Sequence, residues 1–249
     1  MRSPDSNYEA WHQAMIAAEE GQSTPLYPWH RTVLNIIPDL NGKSVLEIGC
    51  GRGDFARLLG ERYPSAEIIA TDFSTAAITY AQSKIGSSRN VTFEAANAQA
   101  LLFSDASFDY VISCECLEHV ETPREMVREI VRCLKPGGGF VVTTENYFNG
   151  MILAWIKAWL TRTPFSSGSG FQPRENFFVF WQVRRMIEEA GLHITHMESN
   201  HFVWLLLPSF SPDTFFTADF GKAIWRRLFR PFGRHFTYQG IKPELAQTI

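Results

Sequence analysis

The chain has no uninterrupted apolar run of roughly 18 residues, so no helix is expected to span a membrane. Cysteine is scarce: there are four, Cys50, Cys114, Cys116 and Cys133. Their spacing fits neither a zinc site nor a secreted disulfide framework, which points to a reducing compartment. Cys114 and Cys116 stand too close together for an ordinary redox or zinc pair. A strong charge of one sign is also missing. The formal net charge is −3 over 249 residues, which gives no global attraction for nucleic acid, and none is expected as a partner. Residues 1–20 carry Asp5, Glu9, Glu19 and Glu20 without a long apolar core, so no signal peptide is expected. A cytoplasmic protein is the simplest expectation. Internal repeats and low-complexity tracts are absent from the sequence, and the length suits one domain spanning 1–249, with insertions.

What is present begins with the run from Val45 to Asp54. Val45, Leu46 and Ile48 read as a buried strand, Gly49, Gly51 and Gly53 as a turn, and Phe55, Ala56, Leu58 and Leu59 recur at helical spacing. Strand, glycine turn and helix let backbone approach a ligand without Cβ interference. The third glycine follows the second by two residues, unlike the Gly-x-Gly-x-x-Gly of dinucleotide enzymes. Such a turn also occurs with no ligand at all. Glu47 before it and Asp72 downstream are what set this one apart.

From residue 42 to residue 144 the segments alternate. Residues 45–48, 67–71, 91–95, 108–113 and 140–144 read as strands; 54–62, 75–83 and 123–133 read as helices. Met126, Val127, Ile130, Val131 and Leu134 mark the inner face of the last helix, and residues 135–139 form a turn. This rhythm predicts a doubly wound, mainly parallel α/β sheet. Ligands of such sheets bind beyond the carboxyl ends of the strands. Glu47, Asp72, Asn97, Cys114 and Glu115 all fall there, in one crevice. After residue 144 the pattern loosens. Residues 148–163 are apolar and tryptophan-bearing, 164–173 form a Ser/Gly/Pro loop, and 181–190 read as a helix stopped by Gly191. Residues 192–197 read as a sixth strand, 202–232 as an aromatic insertion and 236–241 as a seventh strand.

Over about residues 42–191 these motifs resemble the class I S-adenosylmethionine-dependent methyltransferases, which implies their Rossmann-like, seven-stranded fold with helical insertions. In that family the stretch matching Glu47–Gly53 hugs the methionine part of the cofactor. Asp72 matches the acid that accepts both ribose hydroxyls, a task suited to two acceptor oxygens. Residues 96–109 match the stretch that faces adenine, with Asn97 in place of the usual acid; its side-chain oxygen still accepts from an amino group. Leu134–Gly139 resembles the turn into the fifth strand. The resemblance thus implies S-adenosyl-L-methionine as cofactor. Its binding set would be Glu47, Gly49, Gly51, Gly53, Asp72, Phe73, Asn97, Ala98 and Cys114. The implied division is an N-terminal cap (1–41), a cofactor-binding core (42–147), and insertions at 148–180 and 201–234 that face substrate or membrane. Residues 8–30 commonly fold over the cofactor in this family; Tyr8, Trp11, Tyr27 and Trp29 would supply such a lid or pack on the sheet.

Glu115 and Glu118 are three apart with His119 adjacent, so one helical turn would point two carboxylates and an imidazole into the site. The ubiquinone-biosynthesis O-methyltransferases, closest to this chain in motif pattern, and the small-RNA 2′-O-methyltransferases hold a divalent metal with such a segment. The resemblance therefore names Glu115, Glu118 and His119 as catalytic, and as ligands if a Mg²⁺ or Mn²⁺ ion is used. The same Leu-Glu-His-Val string occurs in methyltransferases without metal, where the histidine is a general base or shapes the pocket. The histidine that completes the RNA enzymes' site would fall near Asn176 or Phe177. His12, His30, His193, His196 and His201 read as surface or satisfied core residues.

Two segments suggest a greasy acceptor or a membrane surface. Phe148, Met151, Ile152, Trp155 and Trp159 share one helical face, opposite Lys157. In residues 222–230, Ile224, Trp225, Leu228 and Phe229 fill one arc, and Lys222, Arg226, Arg227 and Arg230 fill the other. No acidic residue occurs between Gly221 and Pro243. This is the pattern of a helix lying on anionic lipid, or of a cap over a pocket. The expected activity is O-methylation of a hydrophobic or lipid-linked small molecule. Methylation of a sugar or other soluble metabolite, on oxygen or nitrogen, and a non-catalytic cofactor-binding module are the alternatives. The oligomeric state is left open.

Overall fold

The computed structural model describes residues 4–18, 27–85, 90–146, 148, 159–160, 173–174, 176–202 and 230–244. Seven strands form one sheet: β1 (Ser44–Ile48), β2 (Glu67–Asp72), β3 (Val91–Ala95), β4 (Phe108–Cys114), β5 (Leu134–Glu145), β6 (His193–Phe202) and β7 (Gly233–Ile241). Their order is β3-β2-β1-β4-β5-β7-β6. β1 to β5 pair in parallel, and β7 is inserted antiparallel between β5 and β6. The predicted doubly wound, mainly parallel sheet is therefore the observed one.

The helices described are α1 (Pro4–Ala18), α2 (Pro28–Ile36), α3 (Asp54–Arg62), α4 (Thr75–Ile85), α5 (Pro123–Cys133) and α6 (Phe180–Glu189), with a 3₁₀ turn at Arg230–Phe232. Central strands are apolar on both faces because both are covered. Val33, Leu34, Phe55, Leu59 and Ile78 pack on one face. Met126, Ile130, Val183, Ile187 and Tyr238 pack on the other. α5 shows the local logic. Pro123 opens it where an N–H would have had no acceptor, and Met126, Val127, Ile130 and Cys133 are buried at helical spacing. Ile130 is fully buried, so Ile130→Ala should cost about 2–5 kcal/mol in urea unfolding.

Three boundaries differ from the sequence reading by three residues or more. Residues 135–139, expected as a turn, are continuous with β5, because the glycine run pairs with the chain leaving β7. Gly137 N–H donates to Lys242 O and Lys242 N–H to Gly138 O, both at 2.8 Å. β6 extends to Phe202 and β7 begins at Gly233, because antiparallel pairing carries both strands beyond their apolar alternation. The expected insertion at 201–234 is shorter by those residues. Of the two amphipathic segments, Phe148, Trp159, Leu160 and Arg230 are described, and the rest of 148–163 and 222–230 lies outside the described residues. Among the described residues no helix is long and apolar enough to cross a membrane.

Candidate active site

The glycine turn after β1 is tied to the end of β2. Gly49 and Cys50 N–H groups donate to Thr71 O at 2.8 and 2.9 Å, and Thr71 Oγ1 donates to Glu47 O at 3.0 Å. Gly51 N–H donates to Asp72 Oδ2 at 2.8 Å, while Ser74 N–H donates to Oδ1 at 2.9 Å. Asp72 is thus oriented by backbone before any ligand reaches it. Gly49 has φ +79°, and a Cβ there would sit 2.6 Å from Cys116 Cβ and Sγ. Gly49→Ala should destabilise the protein by about 2–4 kcal/mol in urea unfolding, from overpacking plus left-handed strain.

This turn opens onto a cavity of about 880 Å³, lined by Glu47, Gly49, Gly51, Asp72, Phe73, Asn97, Ala98, Cys114, Glu115, Glu118 and His119 among others. Every predicted site residue except Gly53 lines it. Gly53, at φ +81°, turns the chain into α3 and donates its N–H to Cys50 O at 3.0 Å. Asn97 is exposed, and its Oδ1 accepts from Gln99 N–H at 2.9 Å. Glu47 is 2 % exposed and its Oε2 receives no hydrogen bond. Burial, and then the Asp72 charge, push its carboxyl up to about 8.

α1 lies across the opening. Glu9 accepts from Ser74 Oγ at 2.7 Å and from Ala76 N–H at 2.9 Å, fastening the helix to the start of α4. Tyr8 Oη donates to Arg174 O at 3.0 Å. Tyr8, Trp11, His12, Tyr27, Trp29 and His30 all line the cavity, so the N-terminal aromatics form a lid. Of the two histidines read as surface or core, His12 is buried and His30 packs on core Phe55, and both also face the cavity. His12 Nε2 is 3.8 Å from Asp72 Oδ1. His30 stacks on Phe55 at 4.3 Å between centroids, and burial lowers its pKa to about 4.

Residues 115–120 are not a helical turn. Glu115 is left-handed at φ +50°, held by Thr143 O, which accepts its N–H at 3.1 Å. The two carboxylates therefore take different partners. Glu118, 1 % exposed, accepts from Thr144 Oγ1 at 2.9 Å. Glu115 Oε2 lies 2.9 Å from His235 Nδ1 on β7. Burial, then neighbouring Glu145, push Glu115 up to about 8; burial, then Glu115, raise Glu118 well above the carboxylate range. His119 Nδ1 is 2.9 Å from Arg174 O. A carbonyl only accepts, so Nδ1 carries a proton, and in the neutral ring the lone pair is on Nε2. Nε2 stands 3.9 Å from Glu118 Oε1. Asn176, at the place of the RNA enzymes' histidine, instead clasps the turn, donating to Glu118 O at 2.6 Å and Val120 O at 2.7 Å.

A family model described as a methyltransferase domain matches residues 45–138. The ubiquinone biosynthesis O-methyltransferase of Idiomarina loihiensis is 30 % identical over 185 residues, 70 % of this chain and 72 % of that protein. This chain belongs to the S-adenosylmethionine-dependent methyltransferase family. The demethylmenaquinone methyltransferase of Lactococcus lactis is 35 % identical over 122 residues, 48 % of either chain; the chain spans about half the length of several curated relatives it matches. Phosphoethanolamine N-methyltransferase 2 of Haemonchus contortus, solved with S-adenosyl-L-methionine, superposes with a TM-score of 0.70. That match covers 98 % of this chain and 61 % of the other at 19 % identity, and shows the shared fold.

The residues of this family member fit that cofactor. Gly51, at φ +52°, has nothing within 4 Å of where a Cβ would stand, which leaves room for a ligand against the backbone. Glu47 offers a buried oxygen without a donor to a cationic group. Two groups were missed from sequence: Glu145, which lines the cavity, and buried His235, which pairs with Glu115. Glu145 ends β5 and could have been found by the strand-end argument that found Glu47 and Asp72. His235 required the β5–β7 register, in which it faces Glu145.

Proposed function

We propose that this protein transfers the methyl group of S-adenosylmethionine to an oxygen of a largely apolar small molecule held under α1. The observation that carries this reading is His119, which lines the cavity and whose Nδ1 is held by the Arg174 carbonyl. The bound cofactor supplies a methyl already activated by its sulfonium, so the protein needs alignment and a proton acceptor. Asp72 would hold the ribose hydroxyls, Glu47 and the Gly49–Gly51 backbone the charged end, and Phe73, Asn97 and Ala98 the adenine. His119 Nε2 takes the acceptor's proton, while Arg174 O favours the resulting imidazolium. Trp11, Met15, Tyr27, Trp29 and Leu58 give the cavity apolar walls, and relatives named for ubiquinone and menaquinone biosynthesis support a ring acceptor with a greasy tail. The test offers methyl-labelled cofactor with isoprenoid-tailed phenols, their tailless analogues and simple sugars. Label should appear on the oxygen of the tailed phenols first. Label on sugars or amines alone would overturn the reading.

Contact with anionic membrane is part of this proposal. Residues 222–230 carry four basic side chains, each contributing about 1 kcal/mol near such a surface. Co-sedimentation with anionic vesicles should weaken as salt rises, because the attraction is screened over about 10 Å. Replacing Arg226, Arg227 and Arg230 together by glutamate should abolish it and leave cofactor affinity unchanged. If that variant sediments like wild type, the segment is a pocket cap.

A further inference from the structure

β5 and β7 run side by side, and their register sets Glu145 opposite His235. Glu115 reaches the same place from the turn after β4. One ligand-capable atom from each of Glu115, Glu145 and His235 lies within 4.8 Å of the others. From this juxtaposition we infer a divalent-cation site formed by Glu115, Glu145 and His235, for a hard ion of the Mg²⁺ or Mn²⁺ kind. Two carboxylates, an imidazole and no thiolate are donors suited to such ions.

This is a different set from the one that residues 115–119 suggested in the sequence. There, His119 spends Nδ1 on the Arg174 carbonyl and Glu118 spends Oε2 on Thr144. Only Glu115 is common to both sets, and its left-handed backbone is what swings it toward β7.

Independent of the geometry, the cluster holds buried oxygens without donors. Glu118 is 1 % exposed, and neither its Oε1 nor Glu115 Oε1 meets an N–H or a hydroxyl; the two carboxyls meet each other. Leaving such an oxygen unmet in a dry site is costly. The Glu118 carboxyl adjoins Glu115, and Glu145 acts electrostatically on both. Arg234 reaches Glu145 Oε1 at 3.0 Å. A divalent ion would take the place of the proton that the Glu115 and Glu118 carboxyls otherwise share. Trp29, 4.8 Å from the His235 ring between centroids, walls the cluster on its outer side. Glu115 and Glu145 both line the cavity, so the ion would face an acceptor there. Only that last role, holding the acceptor oxygen, rests on the proposed methyl transfer.

The experiment is titration of Mn²⁺ alone into the full chain, followed by loss of the free-ion electron paramagnetic resonance signal. Saturable binding of one ion per chain is expected. Glu145→Gln and His235→Gln should each weaken it at least about tenfold, since even outer partners of a bound metal cost that much when removed. Unchanged affinity for S-adenosylhomocysteine would show that Glu145→Gln folds, should the more buried His235→Gln fail to. His119→Ala should leave Mn²⁺ affinity as it was. No saturable binding overturns the inference, as does affinity that survives Glu145→Gln but falls in His119→Ala. Metal binding is read without turnover, so a failure to methylate any offered phenol would strike the proposed function and leave this site standing.

Discussion

Replacing His119 by alanine should slow methyl transfer by about 10²–10⁴-fold, the usual contribution of a positioned general base, with affinity for S-adenosylhomocysteine within about twofold of wild type. The expectation follows from the state of its neighbours. Burial raises Tyr8 and Cys116 above their ordinary values, so both hold their protons at neutral pH. Glu118 is raised by burial and by Glu115 and is likewise a poor proton acceptor. His119, with Nδ1 bonded to Arg174 O, presents the lone pair. Single-turnover rates with a saturating acceptor are the measurement. His119→Gln separates base from shape, because its amide can still donate to the Arg174 carbonyl. A slow His119→Gln enzyme with unchanged KM supports a base; near-normal kcat in that variant would leave His119 as a wall of the pocket.

How much of this was legible in the sequence depended on whether the signal was local. β1 and β4 are covered on both faces, so Val45, Leu46, Val111 and Ile112 stand in plain apolar runs. α5 repeats its apolar residues at helical spacing. Both were readable because burial and period act over a few adjacent residues. Asp72 and Glu47 were readable because strand ends collect at one edge of such a sheet. Residues 115–119 misled for the opposite reason. Spacing of three predicts one helical face, yet the backbone at Glu115 is left-handed, and no pattern in the neighbouring residues announces that at a glutamate. The conformation is imposed from β5, through Thr143.

His12 and His235 show a second kind of illegibility. His12 reaches Asp72 because Glu9 fastens α1 to the start of α4, a contact between segments more than sixty residues apart. His235 joins Glu115 and Glu145 because β7 inserts between β5 and β6, and antiparallel order is not written in either strand. Relative to the motif residues, these groups are what the fold adds to the site. His12 joins the site beside Asp72 and His235 beside Glu115, each brought there by tertiary contacts alone.

Affinity for S-adenosylmethionine should climb with pH through the neutral range and level off near pH 8. Glu47 titrates at about 8 rather than 4.5, from burial first and the Asp72 charge second. Before binding, then, it is protonated at neutral pH. A cation settling beside it favours the charged form and lowers its pKa in the complex, so binding below pH 8 expels a proton. The sign follows: affinity is full above the free pKa and is lost as pH falls toward the complex's pKa, by at most about tenfold per unit. The same group acts oppositely on the unliganded fold, whose stability declines as pH rises from 4.5 to 8 because the unfolded chain's glutamate ionises there while buried Glu47 stays protonated. Cofactor-induced thermal stabilisation should therefore grow over the range in which the unliganded protein weakens. Glu47→Gln should flatten the pH dependence of binding measured by calorimetry. Asp72→Ala should weaken binding by about 1.5–3 kcal/mol, the worth of hydrogen bonds to a charged acceptor. It should also shift the plateau to lower pH, since the charge that helps hold Glu47 protonated is gone. A pH profile unchanged by both substitutions would assign the cofactor's charged end to some other group.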